Sequence, residues 1–344
     1  VNSYAALVYP SANRVYAEAS AALLIAELRV FDRTVLGGRI TELAESTIGG
    51  VPCVTFVAPE LSDGDVELLS NLSALYALFG IEGELLRPVT LRRLDVFDSD
   101  LLTIQKYSGK TNELFTKLVL NITALSTDRP ADLVTGRLRV LDPMCGRGTT
   151  LNQAMMYGCD AAGLDIDGKD FEEYGRFIRT WLKNKRIKHK ATAAPIRREH
   201  TQLGRRLDIS LGTDKESYKA GAALQLSFVH GDTVRSAEFF RPGSFDVIVT
   251  DAPYGVRHGS RAERLSRTPM ELLRAALPGW VALLRGGGAL GISWNTYVAD
   301  RGELAGILGD AGLRVLDDEP YLGFEHRVDQ AIVRDVLVAT KPSV

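Results

Sequence analysis

Two carboxylates, Asp142 and Asp251, each close an apolar run and open a turn, an arrangement from which chemistry on a bound ligand can be built. The first run, Leu138-Arg-Val-Leu141, leads into Asp142-Pro-Met-Cys-Gly-Arg-Gly-Thr149; the second, Phe245-Asp-Val-Ile-Val-Thr250, leads into Asp251-Ala-Pro-Tyr-Gly255. Gly146 and Gly148 give the first turn φ freedom and let its backbone approach a ligand closely. A pyrophosphate-binding Gly-x-Gly-x-x-Gly would need a third glycine where Leu151 stands, so only Gly-x-Gly remains. Asp165 ends Ala161-Ala-Gly-Leu-Asp165, a position from which a carboxylate accepts hydrogen bonds from both hydroxyls of a ribose. Asp232, in His230-Gly-Asp232, can take the exocyclic amine of an adenine or simply cap its loop. The set suits a nucleoside cofactor; its bland alternative is a tight strand-to-helix turn.

The second turn suits a flat amine. An exocyclic amine on a purine is a poor nucleophile because its lone pair is delocalised into the ring, so attack requires the nitrogen to pyramidalise. Asp251 and the carbonyl of Ala252 are placed to accept its two N–H bonds, while Tyr254, after Pro253, offers a face on which the ring can stack. Much of the rate can then come from alignment, with no neighbouring base. Arg257 and His258 follow the turn and can touch a substrate or stand in solvent, as loop residues do. Trp294 ends the run 288–294 and either lines the pocket or fills the sheet edge. Glu325-His326-Arg327 has catalytic residue types, but Asp329 is its sole near companion and no ligand spacing supports a metal.

These turns need strands to carry them. From residue 138 onward apolar runs at 138–142, 160–165, 227–229, 245–250 and 288–294 alternate with helical patterns at 149–157, 171–183, 268–284 and 303–310. That alternation predicts an α/β fold with a doubly wound parallel sheet, and runs near 314–316 and 331–339 predict an antiparallel edge pair. Ligands of such a sheet bind outside the carboxyl ends of its strands. Residues 1–94 read instead as a small α+β ferredoxin-like domain, β-α-β-β-α-β, with helices at 15–30 and from Ser62 through Leu78 and a last strand at 84–91. Its apolar stripes are core, so a substrate-positioning or dimerising role is expected and a homodimer is envisaged. Residues 95–137 connect it to the catalytic domain, 138–344.

Composition narrows the rest. The chain has 344 residues, 45% of them hydrophobic, and no run approaches the roughly 18 uncharged apolar residues of a membrane span. No basic flank precedes the first apolar residues, so a cytoplasmic location is expected. Three scattered cysteines, Cys53, Cys145 and Cys159, exclude a disulfide framework or Cys-x-x-Cys metal site. Residues 1–100 hold no lysine, seven arginines and fourteen acids, a balance of −7 within a total of −2, which makes them a poor partner for phosphate backbones. Residues 176–206 are the opposite, eleven Lys or Arg against Glu199 alone. A basic insertion near 183–222 is expected, either a solvated excursion or a patch that docks an anion.

Asp142-Pro-Met-Cys-Gly-Arg-Gly-Thr149 followed by Asp251-Ala-Pro-Tyr-Gly255 resembles the class I S-adenosylmethionine-dependent methyltransferases, and more narrowly the amino-methyltransferase branch that includes the THUMP-containing tRNA and rRNA guanine-N2 enzymes. Lys106-Tyr-Ser-Gly-Lys-Thr-Asn-Glu-Leu-Phe-Thr116 is similar to the stretch that lies across the methionine end of the cofactor in that branch. The resemblance covers residues 105–340 and implies a Rossmann-like methyltransferase sheet and S-adenosyl-L-methionine as cofactor. It places Thr116, Asp142, Met144, Cys145, Gly146, Gly148 and Thr149 on the methionine and loop side. It places Asp165 and Ile166 at the ribose, and Asp232 and Thr233 at the adenine. Asp251, Ala252, Pro253 and Tyr254 would be catalytic, with Tyr254, Arg257, His258 and Trp294 at the substrate. The expected function is transfer of methyl to an exocyclic amine, guanine N2 or adenine N6 in tRNA or rRNA, with the basic segment 176–206 as RNA contact.

Two departures qualify that expectation. The usual second motif is Asp-Pro-Pro-Tyr, and Ala252 replaces its first proline, which frees φ and adds an N–H. About a hundred residues precede the catalytic part, enough for the ferredoxin-like unit and not for a THUMP domain as well. Both favour an alternative, N-methylation of a small molecule or peptide. A weaker alternative is a non-catalytic cofactor-binding scaffold, against which the intact Asp251, Pro253 and Tyr254 argue.

Overall fold

A computed structural model describes residues 2–11, 14–136, 138–199, 201–252 and 268–343, with Arg14 and Thr135 described by backbone alone. Pro253, Tyr254, Arg257 and His258 lie outside the described residues.

The N-terminal elements are β1 (Asn2–Val8), α1 (Arg14–Phe31), β2 (Thr41–Ile48), β3 (Val51–Ala58), α2 (Asp63–Leu69), β4 (Leu75–Glu82) and β5 (Leu85–Val89). They form an antiparallel sheet in the order β2-β3-β1-β4-β5, the ferredoxin-like arrangement with β5 added at one edge. The second helix is shorter than its leucine stripe predicts. A capping box between Ser62 and Asp65 starts it, and it ends at Leu69, where the Ser70 hydroxyl and the Asn71 amide turn back onto the carbonyls of Val66 and Glu67. Leu75 and Leu78 belong to β4, which pairs with β1 at the middle of the sheet; the expected last strand becomes the edge strand β5.

The larger sheet follows α3 (Asp100–Thr103), α4 (Glu113–Leu125) and α5 (Asp132–Thr135). Its elements begin with β6 (Arg139–Asp142), α6 (Thr149–Met156), β7 (Asp160–Asp165), α7 (Gly168–Asn184), β8 (His189–Arg198), β9 (Thr201–Leu211), α8 (Lys215–Lys219), β10 (Leu224–His230) and β11 (Phe245–Asp251). They continue with α9 (Pro269–Leu283), β12 (Leu284–Asn295), α10 (Arg301–Asp310), β13 (Arg314–Leu316), β14 (His326–Arg327) and β15 (Val333–Thr340). The order is β13-β15-β12-β11-β6-β7-β10-β9-β8, with β14 beside β15. Strands β12, β11, β6, β7 and β10 are parallel, and β15 runs antiparallel between β12 and β13, the edge arrangement read from the sequence. From β6 the chain winds outward through β7 and β10 on one side and resumes at β11 on the other. The tips of β6 and β11 therefore flank the point where strand order reverses, the usual ligand crevice of such sheets.

The basic run is not a loose excursion. After α7 it forms the hairpin β8/β9, which extends the sheet antiparallel to β10. Leu207, Ile209 and Leu211 alternate inward on β9, whereas β8 is largely exposed on both faces. The β9–β10 register ends at Arg205 opposite His230. Residues 201–204 run on past it, so the start of β9 extends beyond the last paired residue of β10 by roughly 13 Å at a strand rise of about 3.3 Å per residue.

α4 joins the two sheets. It is buried along nearly its whole length and packs against α1 on one side and α6, β11 and β12 on the other. No helix among the described residues is long and apolar enough to cross a membrane.

Candidate functional site

The β6 turn is built around two acids. Asp142 is 3% exposed, accepts a hydrogen bond from the Met144 N–H at 3.1 Å, and has its pKa pushed up to about 7 by burial. The hydroxyls of Thr150 and Thr250 oppose that rise and the charge of Asp165 adds to it. Asp165, at the tip of β7, accepts from the Gly146 N–H at 2.8 Å on one oxygen and from the Asp167 N–H at 2.8 Å on the other. Burial raises its pKa too, and the two N–H donors partly offset that. Each oxygen keeps a lone pair for a further donor such as a ribose hydroxyl.

The glycines of the turn divide the work. Gly146 has φ +48° and a Cβ there would meet nothing within 4 Å among the described residues, so a side of the turn beside Asp165 is open. Gly148 has φ +76°, and a Cβ there would run into the Tyr174 ring, so its missing side chain makes room for the protein's own tyrosine. Cys145 points inward, its Sγ 2.6 Å from where a Cβ on Gly163 would lie, and burial drives its thiol pKa well up. Met144 is half-buried, and the Thr149 hydroxyl lies 3.1 Å from that of Tyr107, over whose ring Arg147 stacks. Thr116 is buried on α4 with its hydroxyl on the Asn112 carbonyl at 3.1 Å.

Beyond β7, Ile166 is 52% exposed, an apolar surface beside Asp165. Asp232 takes the cap role, accepting from the Val234 N–H at 3.0 Å at the head of a short 3-10 turn. The Thr233 hydroxyl is buried and bonded to the Trp280 indole N–H at 3.0 Å. Trp294 corrects an expectation: it is 1% exposed, packed in the core with its indole N–H on the Ala299 carbonyl at 2.9 Å, and offers no face to a substrate.

At the tip of β11 the Asp251 carboxylate is held from three sides, by Thr111 Oγ1 at 2.8 Å, Ser293 Oγ at 2.5 Å and Arg334 Nη2 at 3.4 Å. The N–H that Ala252 has and a proline would lack donates to the Ser293 carbonyl at 2.8 Å, continuing the β11–β12 pairing one residue further. Thr111, Ser293 and Arg334 were not singled out in the sequence. Thr111 lies within a motif segment and Ser293 beside Trp294, but Arg334 sits in an ordinary strand with no local signal.

The crevice therefore combines an open glycine turn, two acids in reach of it, and a fixed carboxylate on the adjacent strand tip. The open side of the turn at Gly146 and the remaining acceptor capacity of Asp165 fit a nucleoside. A family model for the RMKL-like methyltransferase domain matches residues 131–286. The chain is 31% identical over 135 residues to the ribosomal RNA large subunit methyltransferase K/L of Photobacterium profundum, an alignment covering 37% of this chain and 18% of that protein's length. Among solved structures, the 1,6-didemethyltoxoflavin-N1-methyltransferase of Burkholderia thailandensis is 15% identical, with a TM-score of 0.40, covering 67% of this chain and 80% of that one. The magnesium protoporphyrin IX methyltransferase of Synechocystis is 16% identical, with a TM-score of 0.39, covering 68% and 86%.

Proposed function

We propose that this chain is a class I S-adenosylmethionine-dependent methyltransferase that methylates an exocyclic amine of a nucleobase in RNA, a reading supported by the match of residues 131–286 to the RMKL-like methyltransferase domain. The observation that carries the reading is the fixed Asp251 carboxylate on the strand tip next to the glycine turn. The cofactor, when bound, supplies a methyl group on a positively charged sulfur. Asp142 would face its cationic end, Asp165 its ribose, and Gly146 would give it room. Asp251 would accept one N–H of the amine and the Ala252 carbonyl the other, holding the nitrogen lone pair toward the methyl. Thr111, Ser293 and Arg334 keep the carboxylate in that geometry, so it is aligned before the acceptor arrives. The relative in Photobacterium profundum is named for ribosomal RNA, which supports RNA as the acceptor class.

The basic segment would guide RNA with fewer charges than its sequence offers. Lys185 is bound by Asp98 and Asp100, Arg198 by Glu238, and Arg205 by Glu172. Among the described residues Lys183, Arg186, Lys188, Lys190 and Arg197 have no acidic partner, and Arg197 pairs with Gln202 where β9 extends beyond β10. That partial neutralisation favours the second reading, an N-methyltransferase of a small molecule or peptide.

The test is incubation of the chain with the cofactor and bulk tRNA and rRNA, followed by mass spectrometry of the nucleosides. N-methylguanosine or N-methyladenosine should form with the wild type and not with Asp251→Ala, and Lys190→Glu with Arg197→Glu should weaken RNA binding and its salt dependence. Methyl found on carbon or ribose, or only on small amines, would reject the nucleobase reading.

A further inference from the structure

We propose that the hollow enclosed by α1, the start of α4, β14 and β15 is a sugar-phosphate subsite for the acceptor, holding the ribose and phosphate attached to the base whose amine Asp251 takes. The inference rests on the nucleobase reading above. The hollow measures about 220 Å³, and its walls include Tyr16, Lys110, Thr111, His326, Arg327 and Arg334. That is below the roughly 300 Å³ at which pockets for whole drug-sized ligands begin, and suits a fragment.

The hollow shares two walls with the amine-binding carboxylate. Thr111 Oγ1 and Arg334 Nη2, at 2.8 Å and 3.4 Å from Asp251 Oδ2, both line it, so its contents lie one side chain away from Asp251. Of the three lining cations, Lys110 is held by Glu113 and by the carbonyls of Leu102 and Gln105, and Arg334 is paired with Asp251, so Arg327 on β14 supplies the positive charge that no described carboxylate balances. A concave surface with an excess of one sign draws a counter-ion, here a phosphate.

His326 adds the second half of the ligand. Its Nδ1 lies 2.9 Å from the Phe324 carbonyl and so carries the proton in the neutral ring, leaving Nε2 as an acceptor. The residue is 7% exposed, and Nε2 has no hydrogen-bond partner among the described residues. Burial also holds the ring toward its neutral form. A buried acceptor without a donor is costly and is satisfied by a ligand that brings one. A phosphate oxygen brings none. A ribose hydroxyl does, and the 2′-hydroxyl is the group by which a protein tells RNA from DNA. A cation, Arg327, for the phosphate and a lone acceptor, His326 Nε2, for the hydroxyl, on one short strand, match a ribose phosphate.

The experiment titrates ribose 5-phosphate, 2-deoxyribose 5-phosphate and inorganic phosphate into the full chain, following the His326 imidazole by nuclear magnetic resonance and affinity by calorimetry. His326→Asn keeps a donor for the Phe324 carbonyl and removes the Nε2 acceptor; it should erase a preference of about three- to tenfold for ribose over deoxyribose. Arg327→Ala, at an exposed position, should weaken all three probes about tenfold. Unmoved His326 signals, variants that bind like the wild type, or inorganic phosphate binding as tightly as ribose 5-phosphate each overturn the subsite. Methylation of RNA bases at the wild-type rate by variants that bind no probe removes the subsite and leaves the nucleobase reading. Probe binding at His326 in a chain that methylates no base does the reverse.

Discussion

Asn121 Nδ2 donates to Glu27 Oε1 at 2.7 Å across 94 positions of sequence, and neither residue is exposed. Glu27 on α1 also accepts from the Ser73 N–H and hydroxyl, while Asn121 on α4 donates to the Asn71 carbonyl and accepts from the Tyr157 hydroxyl. One polar network thus ties the ferredoxin-like sheet to the helix that carries the start of the site.

Glu27→Ala should destabilise the chain by about 2–4 kcal/mol, because it orphans buried donors on both sides of the junction. Urea denaturation measures this, and a double-mutant cycle with Asn121→Ala should return a coupling of about 1 kcal/mol or more. Additive effects of the two changes would mean that the network carries no tie between the units.

Asp142 predicts a pH dependence with a defined sign. The folded chain keeps its proton up to about pH 7, whereas the unfolded chain releases it near pH 4. The folded state holds more protons between those values, so this group's contribution to stability falls as pH rises from about 4 to 7, by at most about 4 kcal/mol. Asp142→Asn should remove that slope, seen as a smaller difference between denaturation at pH 5 and pH 8 than in the wild type. A cationic cofactor binds the ionised form, so its affinity should climb with pH up to about 7 and then level off. Calorimetry showing the same pH dependence in Asp142→Asn would assign it to another group.

The parts of this molecule that the sequence disclosed are those whose cause is local. β6 and β11 are short apolar runs closed by an acid and a turn, and α9 begins at a Thr268–Glu271 capping box followed by Pro269. What escaped depended on partners elsewhere. The leucines at 75 and 78 fit a helical period equally well, and their pairing with β1 decided for strand. β8 has no buried face to give it an alternating pattern, so the hairpin is visible only through β9. Arg334 reaches Asp251 from 83 residues away, and nothing near either position announces it.

Gly148 and Gly146 should respond differently to the same change. Gly148→Ala forces a left-handed φ on a side chain and drives it into the fully buried Tyr174 ring, at a cost of about 2–4 kcal/mol. Gly146→Ala meets no atom of the described residues within 4 Å and should cost about 1 kcal/mol, but its methyl enters the open side of the turn and should weaken cofactor binding. Thermal denaturation and cofactor titration of both variants separate these effects. Equal stability losses would show that the turn has no distinct ligand side.

The three residues around Asp251 should act on rate more than on binding. Thr111→Val, Ser293→Ala and Arg334→Lys each leave the carboxylate in place but remove one of the contacts that fix it. A carboxylate free to rotate presents the amine off line, and misplacement of about 1 Å costs about a hundredfold in rate. We expect kcat to fall about ten- to a hundredfold in each, with cofactor affinity unchanged in Ser293→Ala, whose hydroxyl is bonded to Asp251. Ser293→Ala is the most informative, since its backbone carbonyl still receives the Ala252 N–H and the local strand pairing is kept. A loss of cofactor affinity that matches the loss of kcat in this variant would show that Ser293 supports the sheet tip as a whole rather than the orientation of Asp251.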